Sequence, residues 1–168
     1  MSKAQVSNLK TDKIGKFADE NLEEVKFKLE EELNRLPADI KEENYLEVGV
    51  RPWGVYYVLE DKPNYKVKKI LVNPDSRLSL QSHKHRSEHW VMVSGTATVE
   101  IRNPEKQEKD WVYDLQPNES CYIKANTMHR IANYGKIPLV FVEVQVGEYT
   151  GEDDIIRYED DFGRVGGN

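Results

Sequence analysis

The chain has 168 residues, a single cysteine and a formal net charge of −6, with acidic and basic residues interspersed. That length suffices for one domain with a sizeable core. One cysteine excludes an intramolecular disulfide framework, and the lack of a basic stripe argues against nucleic acid as a partner. No apolar run approaches the ~18 residues of a membrane span and no signal pattern opens the chain, so no membrane association and a cytoplasmic location are expected.

Residues 1–12 are polar and read as a frayed end. From Ile14 to Leu36 the pattern is helical. Leu22, Val25, Leu29, Leu33 and Leu36 recur at spacings of 3, 4, 4 and 3 and make one apolar stripe, which Pro37 ends. The stripe must be covered, either by the rest of the same chain or by a second copy, and a homodimer is the expected assembly. Residues 38–49 read as an acidic connector. The chain is thus divided into a tail and amphipathic helix, 1–48, and a second domain, 49–168.

After Arg51 the texture becomes β, with short runs rich in Val, Ile and Tyr between turn residues. Strands are expected at 55–59, 66–72, 78–85, 89–93, 96–101, 111–115, 119–123, 129–133 and 139–146. Many short strands and no long helix after Pro37 predict an all-β jelly-roll barrel with an N-terminal α-helical extension. Cys121, in NESCYI, is expected to pack as a small buried residue.

The stretch DSRLSLQSHKHRSEHWVMVSG, Asp75 to Gly95, concentrates the chemistry. It holds three of the four histidines, His83, His85 and His89, with Glu88 among them. A strand would turn Gln81, His83 and His85 to one face. The fourth histidine, His129, lies in a second strand-like stretch, MHRIAN. Imidazoles and a carboxylate converging on one face suit a divalent metal. The expected ligands are Gln81, His83, Glu88 and His129, with His85 as the alternative to Gln81. Zn²⁺ fits this set best, and Mn²⁺, Co²⁺ or Fe²⁺ would also be accepted. Arg86 and Arg130 each adjoin a proposed ligand, and arginine is a fork-shaped donor suited to phosphate. Lys66, Lys68 and Lys124 are further phosphate candidates. In LVFVEVQVG, Val140, Val142, Val144 and Val146 share one face, and Phe141, Glu143 and Gln145 the other. Alternation alone would put Glu143 and Gln145 in water.

The same spacing resembles the cupin motifs. The first reads G, five residues, H-x-H, three or four residues, E, six residues, G. Here it runs Asp75, five residues, Gln81-x-His83, four residues, Glu88, six residues, Gly95. The second falls on Asn118, Lys124, Asn126, His129 and Asn133. Asp75, Asn118 and Asn126 stand where the motifs have glycine, and Asp and Asn best tolerate left-handed backbone. Gln81 replaces the first histidine. Within the cupins the chain is similar to the isomerase domain of type II phosphomannose isomerases, over about residues 50–164. The matching residues are RPWG (51–54), YKVKKI (65–70), LSLQSHKHRSEHW (78–90), SGTATV (94–99), NESCYI (118–123), HRIAN (129–133), EVQVGEYTGEDDI (143–155) and FGR (162–164).

The resemblance implies a cupin-type barrel holding one divalent metal and a sugar-phosphate substrate. It implies an aldose–ketose isomerase acting on mannose 6-phosphate. Glu143 and His85 are then candidate bases, and Arg130 joins them as a catalytic candidate. Arg86, Lys124 and Gln145 are candidate substrate-binding residues. The alternatives are a cupin that binds a sugar phosphate or sugar nucleotide without turnover, or another metal-dependent sugar-modifying enzyme. No Gly-rich nucleotide loop precedes Arg51, so nucleotide transfer is not expected.

Overall fold

The computed structural model describes residues 45–102 and 111–164. The helical stretch expected at Ile14–Leu36 lies outside them. Twelve strands are present among the described residues: β1 (Glu47–Arg51), β2 (Gly54–Lys62), β3 (Tyr65–Val72), β4 (Ser76–Arg77), β5 (Leu80–His83), β6 (Arg86–Ser94), β7 (Ala97–Arg102), β8 (Trp111–Leu115), β9 (Ser120–Ile123), β10 (Met128–Asn133), β11 (Leu139–Gly147) and β12 (Ile155–Glu159). One 3₁₀ turn, Glu152–Asp154, separates the last two. The strands form two antiparallel sheets. One runs β1-β2-β3-β11-β6-β9; the other runs β12-β5-β10-β7-β8, with β4 also paired to β10. Their inner faces share one core, in which Tyr56, Ile70, Trp90 and Phe141 of the first sheet meet Val99, Leu115 and Ile131 of the second. This is the all-β jelly roll that the sequence predicts.

Three features differ from the expectation. The connector assigned to 38–49 ends in strand β1, and β12 was not anticipated. Both are edge strands. Edges tend to be short and charged, so EVGVR and IIRYE carry little periodic signal. The strand expected at 78–85 is shorter, β5 running only from Leu80 to His83, with the two-residue β4 just before the expected start.

Three turns need left-handed backbone, and Asp75 (φ 54°), Asn118 (φ 71°) and Asn126 (φ 64°) supply it. These are the positions where Asp and Asn stand in for motif glycines.

The register of the first sheet positions the site. Across β3 and β11, Val72 faces Leu139, Ile70 faces Phe141, Lys68 faces Glu143 and Lys66 faces Gln145. Across β11 and β6, Phe141 faces Met92, Glu143 faces Trp90 and Gln145 faces Glu88. Each pair lies on the inner face, where cross-strand neighbours touch. One end of the barrel is therefore apolar, and the other is lined with Lys, Glu and Gln. Burying the apolar end stabilises the fold by roughly 1.5–3 kcal/mol per large side chain.

Candidate metal centre and the cavity around it

His83 ends β5, Glu88 lies in β6 and His129 in β10. All three are buried, at 2%, 1% and 1% exposure. One ligand atom from each lies within 4.8 Å of the others. His83 Nε2 is 3.1 Å from Glu88 Oε1, and His129 Nε2 is 3.6 Å from Glu88 Oε2. The two imidazole centroids are 5.1 Å apart.

The histidines are arranged as ligands. His129 Nδ1 is 2.8 Å from the Thr127 carbonyl. A carbonyl only accepts, so Nδ1 carries the proton and Nε2 keeps its lone pair for the cluster. That Nε2 has no hydrogen-bond partner, and neither do the two ring nitrogens of His83. Buried polar atoms are rarely left so, and a metal ion would satisfy them. Burial also lowers the proton affinity of His83, against the pull of Glu88, and favours the neutral ring that binds metal. The residues therefore fit a divalent ion. Gln81 pairs directly with His129 across β5 and β10 and lines the adjoining cavity. Its Oε1 accepts from Ser79 Oγ at 2.9 Å.

Burial opposes ionisation of Glu88, but charge on the two imidazoles, when they are protonated, outweighs it and holds the carboxyl well below its ordinary range. Arg86 Nε, Trp90 Nε1 and Gln145 Nε2 also donate to its oxygens, at 3.2, 3.1 and 3.4 Å. Glu143 behaves oppositely. Burial and the charge of Glu88 push it up to about 8, despite Lys68 and Arg86 nearby. Trp90 Nε1 donates to Glu143 Oε2 at 3.1 Å, and Gln145 Nε2 to Oε1 at 2.6 Å.

Glu88 opens onto a cavity also lined by Gln81, Arg86, Lys68, Glu143 and Gln145. Strand β11 is inverted relative to simple amphipathicity. Glu143 and Gln145 are buried, while Val140, Val142 and Val144 are only half-buried and Val146 is exposed. The polar face points in because the cavity is there.

Other expected site residues lie elsewhere. His85 follows the end of β5, in the turn to β6. Its side chain is 47% exposed, and Nδ1 is 2.9 Å from buried Asp154. Asp154 also accepts from the Lys84 and His85 backbone amides. Arg130 is buried away from the cavity, paired with Glu100 at 2.6 Å and Glu159 at 3.2 Å. Lys124 is exposed in the turn after β9. His89 is exposed, with its ring 4.7 Å from that of Tyr122. Lys66 bonds the Thr150 carbonyl and pairs with Asp61, and Lys68 pairs with Glu152.

The sequence reading passed over Trp90, Arg51, Arg157 and Arg164, all of which border this region. Arg51 and Arg164 stand in the RPWG and FGR stretches already singled out, a signal that could have found them. Arg157 carries none, because its strand has no clear alternation.

A family model described as "Mannose-6-phosphate isomerase C-terminal" matches residues 38–160. The alginate biosynthesis protein AlgA of Pseudomonas aeruginosa is 49% identical over 123 residues, 73% of this chain and 24% of that protein. The xanthan biosynthesis protein XanB of Xanthomonas campestris pv. campestris (strain B100) is 48% identical over 115 residues, 68% of this chain and 23% of the relative. The mannose-1-phosphate guanylyltransferase ManC of Salmonella typhimurium is 43% identical over 134 residues, 79% and 26% respectively. The chain spans about a quarter of the length of these curated relatives. Among solved structures, the capsular polysaccharide assembling protein CapF from Staphylococcus aureus superposes with a TM-score of 0.61 at 20% identity, covering 74% of this chain and 34% of that one. The oxalate decarboxylase of Lactobacillus farciminis, solved as a formate complex, gives 0.57 at 20% identity, covering 66% and 33%. At such identities the likeness is one of fold.

Proposed function

The chain belongs to the mannose-6-phosphate isomerase C-terminal family and has the cupin fold, and we propose that it is a metal-dependent isomerase interconverting mannose 6-phosphate and fructose 6-phosphate. The observation that carries this reading is the meeting of two unlike carboxyls in one cavity. Glu88 belongs to the His83–Glu88–His129 cluster, and Glu143, buried beside it and sharing its Trp90 donor, is pushed above the ordinary carboxylate range by burial.

Aldose–ketose isomerisation takes a proton from one carbon and returns it to its neighbour through an enediol. A group that titrates near neutrality can do both. Glu143 is that group in this proposal, with Trp90 and Gln145 fixing the orientation of its carboxyl. A divalent ion held by His83, Glu88 and His129, with Gln81 as the fourth ligand, would polarise the sugar oxygens at C1 and C2. Zn²⁺ is the ion proposed, since two imidazoles and one carboxylate are a familiar catalytic zinc set, and beside Gln81 a further position could open to the sugar oxygens. Arg86 and Gln145 line the cavity wall and serve as hydrogen-bond donors to the sugar. The proposal gives no chemical step to His85, Arg130 or Lys124, which do not line the cavity.

The test is incubation of metal-loaded protein with mannose 6-phosphate, following fructose 6-phosphate. Accumulation of the ketose is expected. Tight binding of the sugar phosphate with no interconversion in Zn²⁺, Mn²⁺ or Co²⁺ would leave a binding cupin in its place.

A further inference from the structure

We infer that Arg51, Arg157 and Arg164 form a receptor for a dianionic phosphate group at the same cavity, and, resting on the isomerase reading, that its natural ligand is the phosphate of the sugar substrate. The three arginines come from separate parts of the chain: the end of β1, strand β12 and the turn beyond it. All three line the cavity that Glu88 and Glu143 face.

The protein as a whole is acidic, at −6. The cavity lining reverses that balance. Arg51, Lys68, Arg86, Arg157 and Arg164 stand against three carboxylates, Glu88, Glu143 and Glu152. Those carboxylates are otherwise engaged: Glu88 with the histidines, Glu143 with Trp90 and Gln145, and Glu152 with Lys68.

Arg51 and Arg157 are incompletely matched, whereas Arg164 is paired. Asp160 braces Arg164 through hydrogen bonds of 2.9 and 2.6 Å. Among the described residues, Arg51 donates to neutral groups, the Val50 carbonyl at 2.9 Å and the Tyr56 hydroxyl at 3.2 Å. Arg157 Nε is buried with no hydrogen-bond partner. Burial, and then the charge of Arg164, make the Arg157 guanidinium a stronger acid than usual, against the pull of Asp160 and Glu152. Folding gains nothing from a buried, unpaired donor set beside a second guanidinium. A phosphate accepts from several N–H groups at once and matches the guanidinium fork. Its arrival would satisfy the orphan donor and relieve the repulsion together.

The experiment is calorimetric titration of the metal-loaded full chain with inorganic phosphate, mannose 6-phosphate and unphosphorylated mannose. Wild type is expected to bind inorganic phosphate, and to bind the phosphorylated sugar more tightly than mannose. Arg157→Gln and Arg51→Gln should each weaken both phosphate ligands by about tenfold or more, the weight of a charged hydrogen bond. Affinity for mannose should stay. Lys136→Gln, the same loss of charge at an exposed bend, should change neither. Should Arg157→Gln fail to fold, Arg51→Gln and Arg157→Lys decide, the lysine variant retaining charge and losing the fork. No phosphate binding by wild type, or unchanged affinities in these variants, overturns the receptor. If the wild type fails to interconvert the sugars while phosphate binding still depends on Arg51 and Arg157, the isomerase reading falls and the receptor stands. Normal turnover and KM in the Arg51→Gln/Arg157→Gln double variant would overturn the receptor and leave the isomerase reading standing.

Discussion

Glu88 and Glu143 share a hydrogen-bond donor: the Trp90 indole N–H lies 3.1 Å from Oε2 of each. Gln145 spans the same pair, 2.6 Å from Glu143 and 3.4 Å from Glu88. The two carboxyls nonetheless hold protons very differently. Imidazoles surround Glu88 and overcome its burial, whereas Glu143 meets burial and the charge of Glu88 together. Environments that push two acids apart divide a site into a fixed charge and a proton carrier.

Replacing Glu143 with Gln keeps size and hydrogen bonding but removes the carrier. Turnover is expected to fall by about 10² or more, with substrate affinity and metal content retained. Steady-state kinetics beside metal analysis checks this. Loss of the metal along with activity would mean that Glu143 acts in structure instead.

The same residue gives metal-free protein a pH signature. Its folded value of about 8 lies above the unfolded 4.5. Between those values the folded state holds a proton that the unfolded state lacks, so this contribution to stability falls as pH rises through the window. Glu143→Gln should flatten the slope in urea denaturation followed from pH 5 to about pH 8. Parallel slopes for wild type and variant would show that Glu143 titrates normally.

Metal analysis of purified protein should find about one divalent ion per chain. His83→Ala combined with His129→Ala should remove it. Gln81→Ala should lower occupancy, and His85→Ala should not, since Asp154 already holds that ring. The opposite order for the last two variants would return His85 to the ligand set.

Arg130→Ala should cost stability. Glu100 would keep Arg102 but lose its second arginine, and Glu159 would lose a partner too; about 1–3 kcal/mol is expected for such a loss. Melting and KM measured together decide the point. A large fall in kcat without a fall in melting temperature would give Arg130 a part in the chemistry.

Asn126 holds left-handed backbone, and its amide donates to the His83 carbonyl at 2.7 Å. Asn126→Ala should destabilise by about 1–2 kcal/mol, while Asn126→Gly should be nearly neutral. Because the turn anchors the end of β5, the alanine variant should also bind metal less tightly. Equal melting of both variants would show that the turn relaxes freely.

The interior strands were legible because alternation and turn residues mark them, and the left-handed turns because Asp75, Asn118 and Asn126 stand at fixed offsets from His83 and His129. Edge strands β1 and β12 were not, because one solvated side and mixed charge erase the period. Local spacing also suggested one face for Gln81, His83 and His85. What ends the strand at His83 is Asp154, which draws off the next two residues from far along the chain. The inward turn of Glu143 contradicted alternation for a related reason. Lys68, Trp90 and Glu88 await it on neighbouring strands, and no local window contains them. Arg157 likewise borders the cavity only once β12 has docked on β5.

That docking sets an order of events. Pairing of Ile155 with His83 closes nearly half the chain into one loop, and such distant contacts form slowly. The hairpin of β2 and β3 can assemble early, whereas the cavity waits for the last strand. A chain still emerging from the ribosome therefore carries both histidines of the cluster well before it can present a finished pocket.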